Sequence, residues 1–225
     1  MSNKKLIILG AGAHARVLVD LAGQLPGWDL AGLLDDDSSK AGSDVFGVPV
    51  LGHTDQLREI AATKLADSAA TAFGDNAVRR RFFEFARETG LELATLVHPS
   101  AVISPHAKLG AGVVVLAGVV VNAGAVIGDN VSLNTGCSID HDCRLDDHCH
   151  IFPNATLTGS VRVGSGASVG ANAVVNPNLE IGRDATVGSG AVVIRDVEPG
   201  QVVVGNPARV LDERSRTANS VDQTD

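Results

Sequence analysis

From residue 101 to residue 196 the chain divides without remainder into sixteen six-residue units, and the third position of every unit is Ile, Leu or Val. The units run AVISPH, AKLGAG, VVVLAG, VVVNAG, AVIGDN, VSLNTG, CSIDHD, CRLDDH, CHIFPN, ATLTGS, VRVGSG, ASVGAN, AVVNPN, LEIGRD, ATVGSG and AVVIRD. Leu, Ile and Val make up about a quarter of the whole chain, so an unbroken column of this length is not chance. A short fixed period of this kind decides the architecture before any local propensity is weighed.

The period has a physical meaning. Side chains alternate along a strand, so positions 1 and 3 of a unit share one face. Position 1 is Ala, Val or Cys, once Leu, and position 3 is branched aliphatic. Positions 4 to 6 are rich in Gly, Asn, Asp and Pro, which tolerate tight turns. Each unit is therefore a short strand and a turn, and successive coils cover one another's open edges. The hexapeptide period resembles the left-handed parallel β-helix, a triangular prism with eighteen residues per coil. Its handedness comes from that resemblance, since ordinary crossovers are right-handed.

The chain of 225 residues leaves room for a second domain ahead of the solenoid. Its net charge of −8 argues against nucleic acid or a membrane surface as partner. The apolar start is interrupted by glycines, His14 and Arg16, which makes a poor signal peptide and too short a span for a bilayer. Cys137, Cys143 and Cys149 all fall at position 1, which predicts reduced core cysteines and a cytoplasmic protein.

Before the repeats, strand and helix patterns alternate. Strands are expected at residues 6–10, 29–37, 48–51, 68–75 and 93–97, and helices at 13–25, 55–62 and 77–88. The expected architecture is an α/β domain with a small Rossmann-like parallel sheet over 1–98, then an all-β left-handed parallel β-helix over 99–211. The polar stretch 212–225 reads as a disordered tail. The turn Gly10-Ala11-Gly12-Ala13-His14-Ala15 lies between the first strand and first helix, where backbone and helix N-terminus approach a phosphate. Asp35 and Asp36 end the next strand, where a ribose hydroxyl would be held. About four strands suit a mononucleotide better than a dinucleotide.

GAGAHARV, LLDDD, FGDNAVRR, VHPSAVISP, NTGCSIDHDCRLDDHCH and GNPAR, in that order, resemble the nucleotide-sugar and sialic-acid O-/N-acetyltransferases. Within that group the chain is most similar to UDP-4-amino-sugar N-acetyltransferases of bacterial glycan biosynthesis, over roughly residues 4–211. The resemblance implies that acetyl-CoA lies along the solenoid and a nucleotide-sugar in the first domain, without a metal. It assigns His141 as catalytic base, Asp142 as its carboxylate, and His150 to the thioester end of acetyl-CoA. It places Asn134, Gly159, Ala171 and Ser189 along the CoA channel. Gly12, Ala13, His14, Asp35, Asp36, Gly74 and Asn76 fall where the family grips the nucleotide-sugar. Ala13 and Ala15 stand where that turn often has glycines.

The chemistry agrees with those roles. Acetyl transfer from a thioester needs a nucleophile made basic, and neutral imidazole is the usual proton acceptor near pH 7. A neighbouring carboxylate, Asp140 or Asp142, fixes the tautomer and stabilises the imidazolium. Residues eighteen apart stack, which sets His141 at a corner between the small residues Ala123 and Gly159. Asn134, Ala171 and Ser189 fall at another corner, and His150 sits at an outward position on the face leading to it. The two histidines should not meet within one prism, so a threefold homo-oligomer with active sites between subunits is expected, as in the family. His148 reads as merely exposed, and His98 and His106 as structural. An O-acetyltransferase acting on sialic acid is the alternative acceptor chemistry, and a noncatalytic nucleotide-binding scaffold the alternative of another class. The γ-type carbonic anhydrases share the solenoid, but their histidine pair separated by four residues is absent here.

Overall fold

The structure is a computed structural model and describes residues 3–211. The stretch read as a disordered tail lies outside the described residues.

The first domain alternates as its sequence pattern requires. Strand β1 (Lys4–Leu9) leads to helix α1 (Ala13–Gly23) and β2 (Trp28–Leu34), followed by the short hairpin β3 (Asp44–Val45) and β4 (Val48–Gly52). Helix α2 (Leu57–Ala62), β5 (Ser68–Thr71), α3 (Asn76–Glu88) and β6 (Glu92–Leu93) complete it. The sheet has six strands in the order β3-β4-β2-β1-β5-β6, parallel except for β3 against β4. Leu6, Ile7, Ile8 and Leu9 are all fully buried because helices cover both faces of β1. Each such side chain contributes about 1.5–3 kcal/mol.

Three strand expectations need correction here, and the simplest is that the strand expected over residues 68–75 ends at Thr71. The strand expected over residues 93–97 is two strands: β6 closes the first sheet, whereas β7 (Leu96–Val97) pairs with Val114–Val115 and begins the solenoid. Ala94 breaks the run, its N–H bonded back to Ala69. The strand expected to run to residue 37 ends at Leu34, since the Asp35 carboxylate accepts backbone N–H groups and turns the chain.

The repeats wind as a left-handed parallel β-helix with a two-residue strand in every unit, and each strand pairs in parallel with the one a full coil away. Three sheets form the faces of the prism. The first face stacks β7, Val114–Val115, Ser132–Leu133, His150–Ile151, Ser168–Val169, Thr186–Val187 and Val202–Val204, with Arg209–Val210 antiparallel at its end. The second runs from Val102–Ile103 to Val192–Val193, and the third from Lys108–Leu109 to Glu180–Ile181. The aliphatic column and the three cysteines fill the interior. Burial pushes the Cys137 and Cys149 thiols up to about 12, which keeps them protonated.

Position 6 of the units carries the turn. Asn130, Asp142, His148, Asn154, Ser160, Asn172, Asn178 and Asp184 all have φ between 54° and 65°, interleaved with glycines of the same sign. Asn and Asp tolerate that conformation best among residues with a side chain. The three faces differ in what they point outward. The first is covered by the α/β domain, whose core cluster includes Leu96, Val114 and Leu116. The second presents Val102, Val120, Ser138, Thr156, Val174 and Val192, all uncharged. The third presents Lys108, Val126, Arg144, Arg162 and Glu180.

Candidate active site

His141 lies in the turn between Ser138–Ile139 of the second face and Arg144–Leu145 of the third, at the corner opposite the first face. Its side chain is 60% exposed, and its Nδ1 sits 3.0 Å from Asp142 Oδ2. A carboxylate only accepts there, so Nδ1 carries the proton and Nε2 keeps its lone pair. Asp140 acts one step back: its Oδ1 accepts the His141 N–H at 2.7 Å and an Asn122 N–H at 2.8 Å. The bond to Asp142, then the charge of Asp140, raise the imidazole above its usual range despite slight desolvation. Gly159 is part of this corner, since Ser160 N–H donates to His141 C=O at 2.9 Å. A Cβ at position 159 would lie 2.6 Å from both Cε1 and Nε2 of His141, so only glycine leaves the ring its place over the turn.

The second group of residues gathers at the seam between the two domains. The sheet order reverses between β1 and β5, and a ligand crevice in an open α/β sheet forms at such a reversal, outside the strand C-termini. The residues there are Gly12, Ala13 and His14 after β1, and Gly74 and Asn76 after β5. Gly12 and Ala13 are exposed at the start of α1, whose first N–H groups have no side-chain cap. Asp35 and Asp36 follow β2, but both carboxylates are already engaged. Asp35 accepts from Ala11 N–H at 2.6 Å, Asp37 N–H at 2.9 Å and Lys40 Nζ at 3.0 Å. Burial works to raise its pKa, and those donors together hold it below the usual carboxylate value. Asp36 accepts from the Thr54 hydroxyl and lies 3.3 Å from an Arg81 guanidinium nitrogen.

His150 takes the outward position expected of it. Its outward position on the first face is not exposed: it is 3% accessible, because the α/β domain covers it. Its ring stacks on Phe152 with centroids 4.0 Å apart, and the His14 ring lies 6.4 Å away. Asn134 Nδ2 donates to the Ile151 carbonyl at 3.2 Å, which fixes the amide's orientation, and the same nitrogen lies 2.7 Å from His150 Nε2. Nε2 must therefore accept, and Nδ1–H faces the Gly74 carbonyl at 3.2 Å. Burial, and after it the charges of Arg79 and His14, pull this histidine down to about 3. His14 is lowered by burial and then by Arg79.

His148, expected to be exposed, is 4% accessible. The ring meets Phe83 edge-on, and its Nδ1 lies 2.9 Å from Asn130 Nδ2. Asn130 in turn accepts from the Thr71 hydroxyl at 3.1 Å. Asn76 grips the solenoid, donating to Gly166 C=O at 2.7 Å and Ser168 Oγ at 3.0 Å, while its Oδ1 is buried without a partner. Arg79, one turn later on the same side of α3, was not singled out from the sequence. The only signal for it was its place in FGDNAVRR, three residues after Asn76 and so on the same helix side.

Asn134, Ala171 and Ser189 stack at the corner between the first and second faces, as Asn172 N–H to Pro153 C=O at 3.0 Å and Gly190 N–H to Ala171 C=O at 2.8 Å attest. Within one chain the residues thus fall into two sets on different sides of the prism. No group of three His, Cys, Asp or Glu side chains among the described residues is placed to hold a metal, and no described helix is long and apolar enough to cross a membrane.

Residues 5–85 match the family described as the PglD N-terminal domain, and residues 160–195 match the bacterial transferase hexapeptide repeats. The structure is similar to that of a histidine-to-asparagine variant of perosamine N-acetyltransferase from Caulobacter crescentus in complex with CoA and GDP-perosamine. The TM-score is 0.88 and the identity 38%, over 93% of this chain and 97% of that one. The acetyltransferase domain of PglB from Neisseria gonorrhoeae, in complex with acetyl coenzyme A, matches with TM-score 0.86 and 38% identity over 93% and 100% of the two chains. A UDP-N-acetylbacillosamine N-acetyltransferase from Bacillus subtilis is 35% identical over 114 residues, 48% of this chain and 50% of that protein. The match thus spans half the length of that curated relative.

Proposed function

The chain belongs to the hexapeptide-repeat sugar N-acetyltransferases that carry a PglD-type N-terminal domain, and from that footing we propose that it moves the acetyl group of acetyl-CoA onto the amino group of a UDP-linked amino-sugar. The observation that carries the mechanism is the His141 corner. Its Nδ1–H is held by Asp142, and its Nε2 lone pair lies over the glycine turn at Gly159, free for a proton. The amine attacks the thioester carbonyl carbon as Nε2 takes its proton; a C–N bond forms, the C–S bond breaks, and the imidazolium returns the proton to the CoA sulfur. No covalent enzyme intermediate is needed. General-base assistance of this kind contributes about 10²–10⁴-fold.

The nucleotide-sugar is read into the crevice at the sheet reversal, with Gly12, Ala13, His14, Gly74 and Asn76 at its walls and Asp35 and Asp36 behind them. CoA is read along Asn134, Ala171 and Ser189, whose small side chains leave room beside the corner, with Gly159 beneath the catalytic ring. These two sets lie on different sides of one prism, so the complete site is read as intersubunit in a homotrimer. The uncharged second face supports this. It is flanked by the His141 corner on one edge and the Asn134 corner on the other. Turned toward a threefold axis, it brings the His141 corner of one chain against the Asn134 corner of the next.

The test is acetyl-CoA turnover against UDP-amino-sugars, GDP-amino-sugars, sialic acid and CMP-sialic acid, with His141→Ala as the blank. Turnover of a UDP-amino-sugar abolished in the blank is the expected result. A GDP-linked acceptor would overturn the nucleotide, a sialic acid the acceptor class, and turnover indifferent to His141 the mechanism.

A further inference from the structure

Arg79 is 2% exposed and has no carboxylate within ion-pair distance among the described residues. An unpaired buried guanidinium is costly to desolvate and persists where fixed dipoles replace its water. Here the dipoles belong to the other domain. From α3 its Nη2 donates to His148 C=O at 2.8 Å and Cys149 C=O at 3.1 Å, its Nε donates to Asn130 C=O at 3.3 Å, and its Nη1 lies 3.4 Å from His150 Nδ1. The fork therefore grips the two peptide carbonyls that immediately precede His150 and also touches its ring. Asn76 and the Gly74 carbonyl, from the same β5–α3 connection, hold Ser168 beside His150 in the sheet and the imidazole itself.

We propose that Arg79 is a positioning residue: from the domain read as binding the nucleotide-sugar, it sets the orientation of His150 on the solenoid and holds its ring neutral. This rests on the reading of His150 as facing the acetyl end of CoA. The cation disfavours a second positive charge on the ring, so His150 stays a neutral imidazole; the Gly74 carbonyl and the Asn134 amide, not Arg79, place its proton on Nδ1. The charged and titratable groups around His150 are Arg79 from α3, His14 from α1 and the protonated thiol of Cys149 beside it; Asp75 on the α3 cap faces Arg79. The solenoid side otherwise offers neutral Ser132, Asn134, Phe152 and Ser168. Burial lowers the Arg79 guanidinium itself only to about 10, so it remains charged at neutral pH.

The experiment is 15N NMR of histidine-labelled full-length protein across pH, together with steady-state kinetics on the preferred acceptor. In the wild type His150 is expected to be protonated on Nδ1 and not to titrate above about pH 4. In Arg79→Met its midpoint should rise by about one pH unit or more, with kcat down about tenfold and the nucleotide-sugar KM changed less than about threefold. Arg79→Lys keeps the charge but not the fork, so the midpoint stays low while kcat recovers only in part. A His150 midpoint unchanged in Arg79→Met reduces Arg79 to a structural bolt and overturns the proposal. Should that variant not fold, Arg79→Lys decides: a wild-type His150 that titrates near 6.5, or a kcat fully retained in Arg79→Lys, overturns the proposal, and a neutral His150 with kcat reduced in Arg79→Lys upholds it. The spectra need no acceptor, so failure of every substrate in the panel would defeat the functional reading and leave this result standing.

Discussion

His141 and His150 lie nine residues apart in the same solenoid, and the fold drives them in opposite directions. His141 stands in an open turn with carboxylates at Asp140 and Asp142, and is made more basic. His150 is sealed under the α/β domain beside a buried guanidinium, and is made a weak base fixed as neutral imidazole. The corner that holds His141 is built from neighbours in sequence; the seam that holds His150 is built from α1, α3 and the β5–α3 connection, tens of residues away. The solenoid offers one histidine an open turn and the other an outward strand position, and what leans against each decides whether its ring is made more basic or held neutral.

The sharpest way to break that contrast is at the open corner. His141→Ala should lower turnover about 10³-fold while leaving the thermal midpoint unchanged, because the side chain is exposed; equal loss of stability and activity would make His141 structural. At the seam the effect is on stability. A histidine whose folded pKa is depressed is neutral in the native state and protonated when unfolded below 6.5, so native stability falls as pH drops from 6.5 toward 3. From pH 6.5 to 5 this one group should cost about 1.6 kcal/mol, a factor of about 16 in the folding equilibrium, measured by urea unfolding. His150→Gln should flatten that slope, and an unaltered slope would mean His150 is not the group responsible.

Gly159→Ala tests the room beneath the His141 ring. The new Cβ meets His141 Cε1 and Nε2, so the imidazole must swing aside, and kcat should fall about tenfold with little change in acetyl-CoA KM. Full activity would show that the ring works in another position. The smallest effect is expected from Asp142→Asn. The carboxylate raises the His141 pKa, so removing it should shift the acid limb of kcat/KM to lower pH and lower the plateau, because the imidazolium loses its partner. A shift to higher pH would contradict the role given to Asp142. Asp142 occupies a left-handed turn position that Asn also tolerates, so folding should be preserved.

The solenoid was legible in the sequence because every link in it is local: a six-residue unit, a turn residue at position 6, a column that must face inward. The same locality placed His141 over Gly159 and the three cysteines in the core. The α/β alternation was legible too, with errors where a side chain intervened, as at Asp35 ending β2. The sequence reading failed at His148, read as exposed, and left the burial of His150 unread, both at corner or outward positions that a bare prism would leave in water. Nothing in the hexads says that one face will be covered, and the Arg79 fork reaches carbonyls more than fifty residues further along the chain, which no periodicity reports.

The sequence by itself thus determined the prism, its inward and outward columns and the corner at His141, since a repeat repeats its own environment. Only the tertiary structure decided which face the first domain would occupy. That choice buried His150, drew Asn76 and Arg79 onto the solenoid and separated the two histidines electrostatically, because burial and a neighbouring cation act through space and leave no mark in the period.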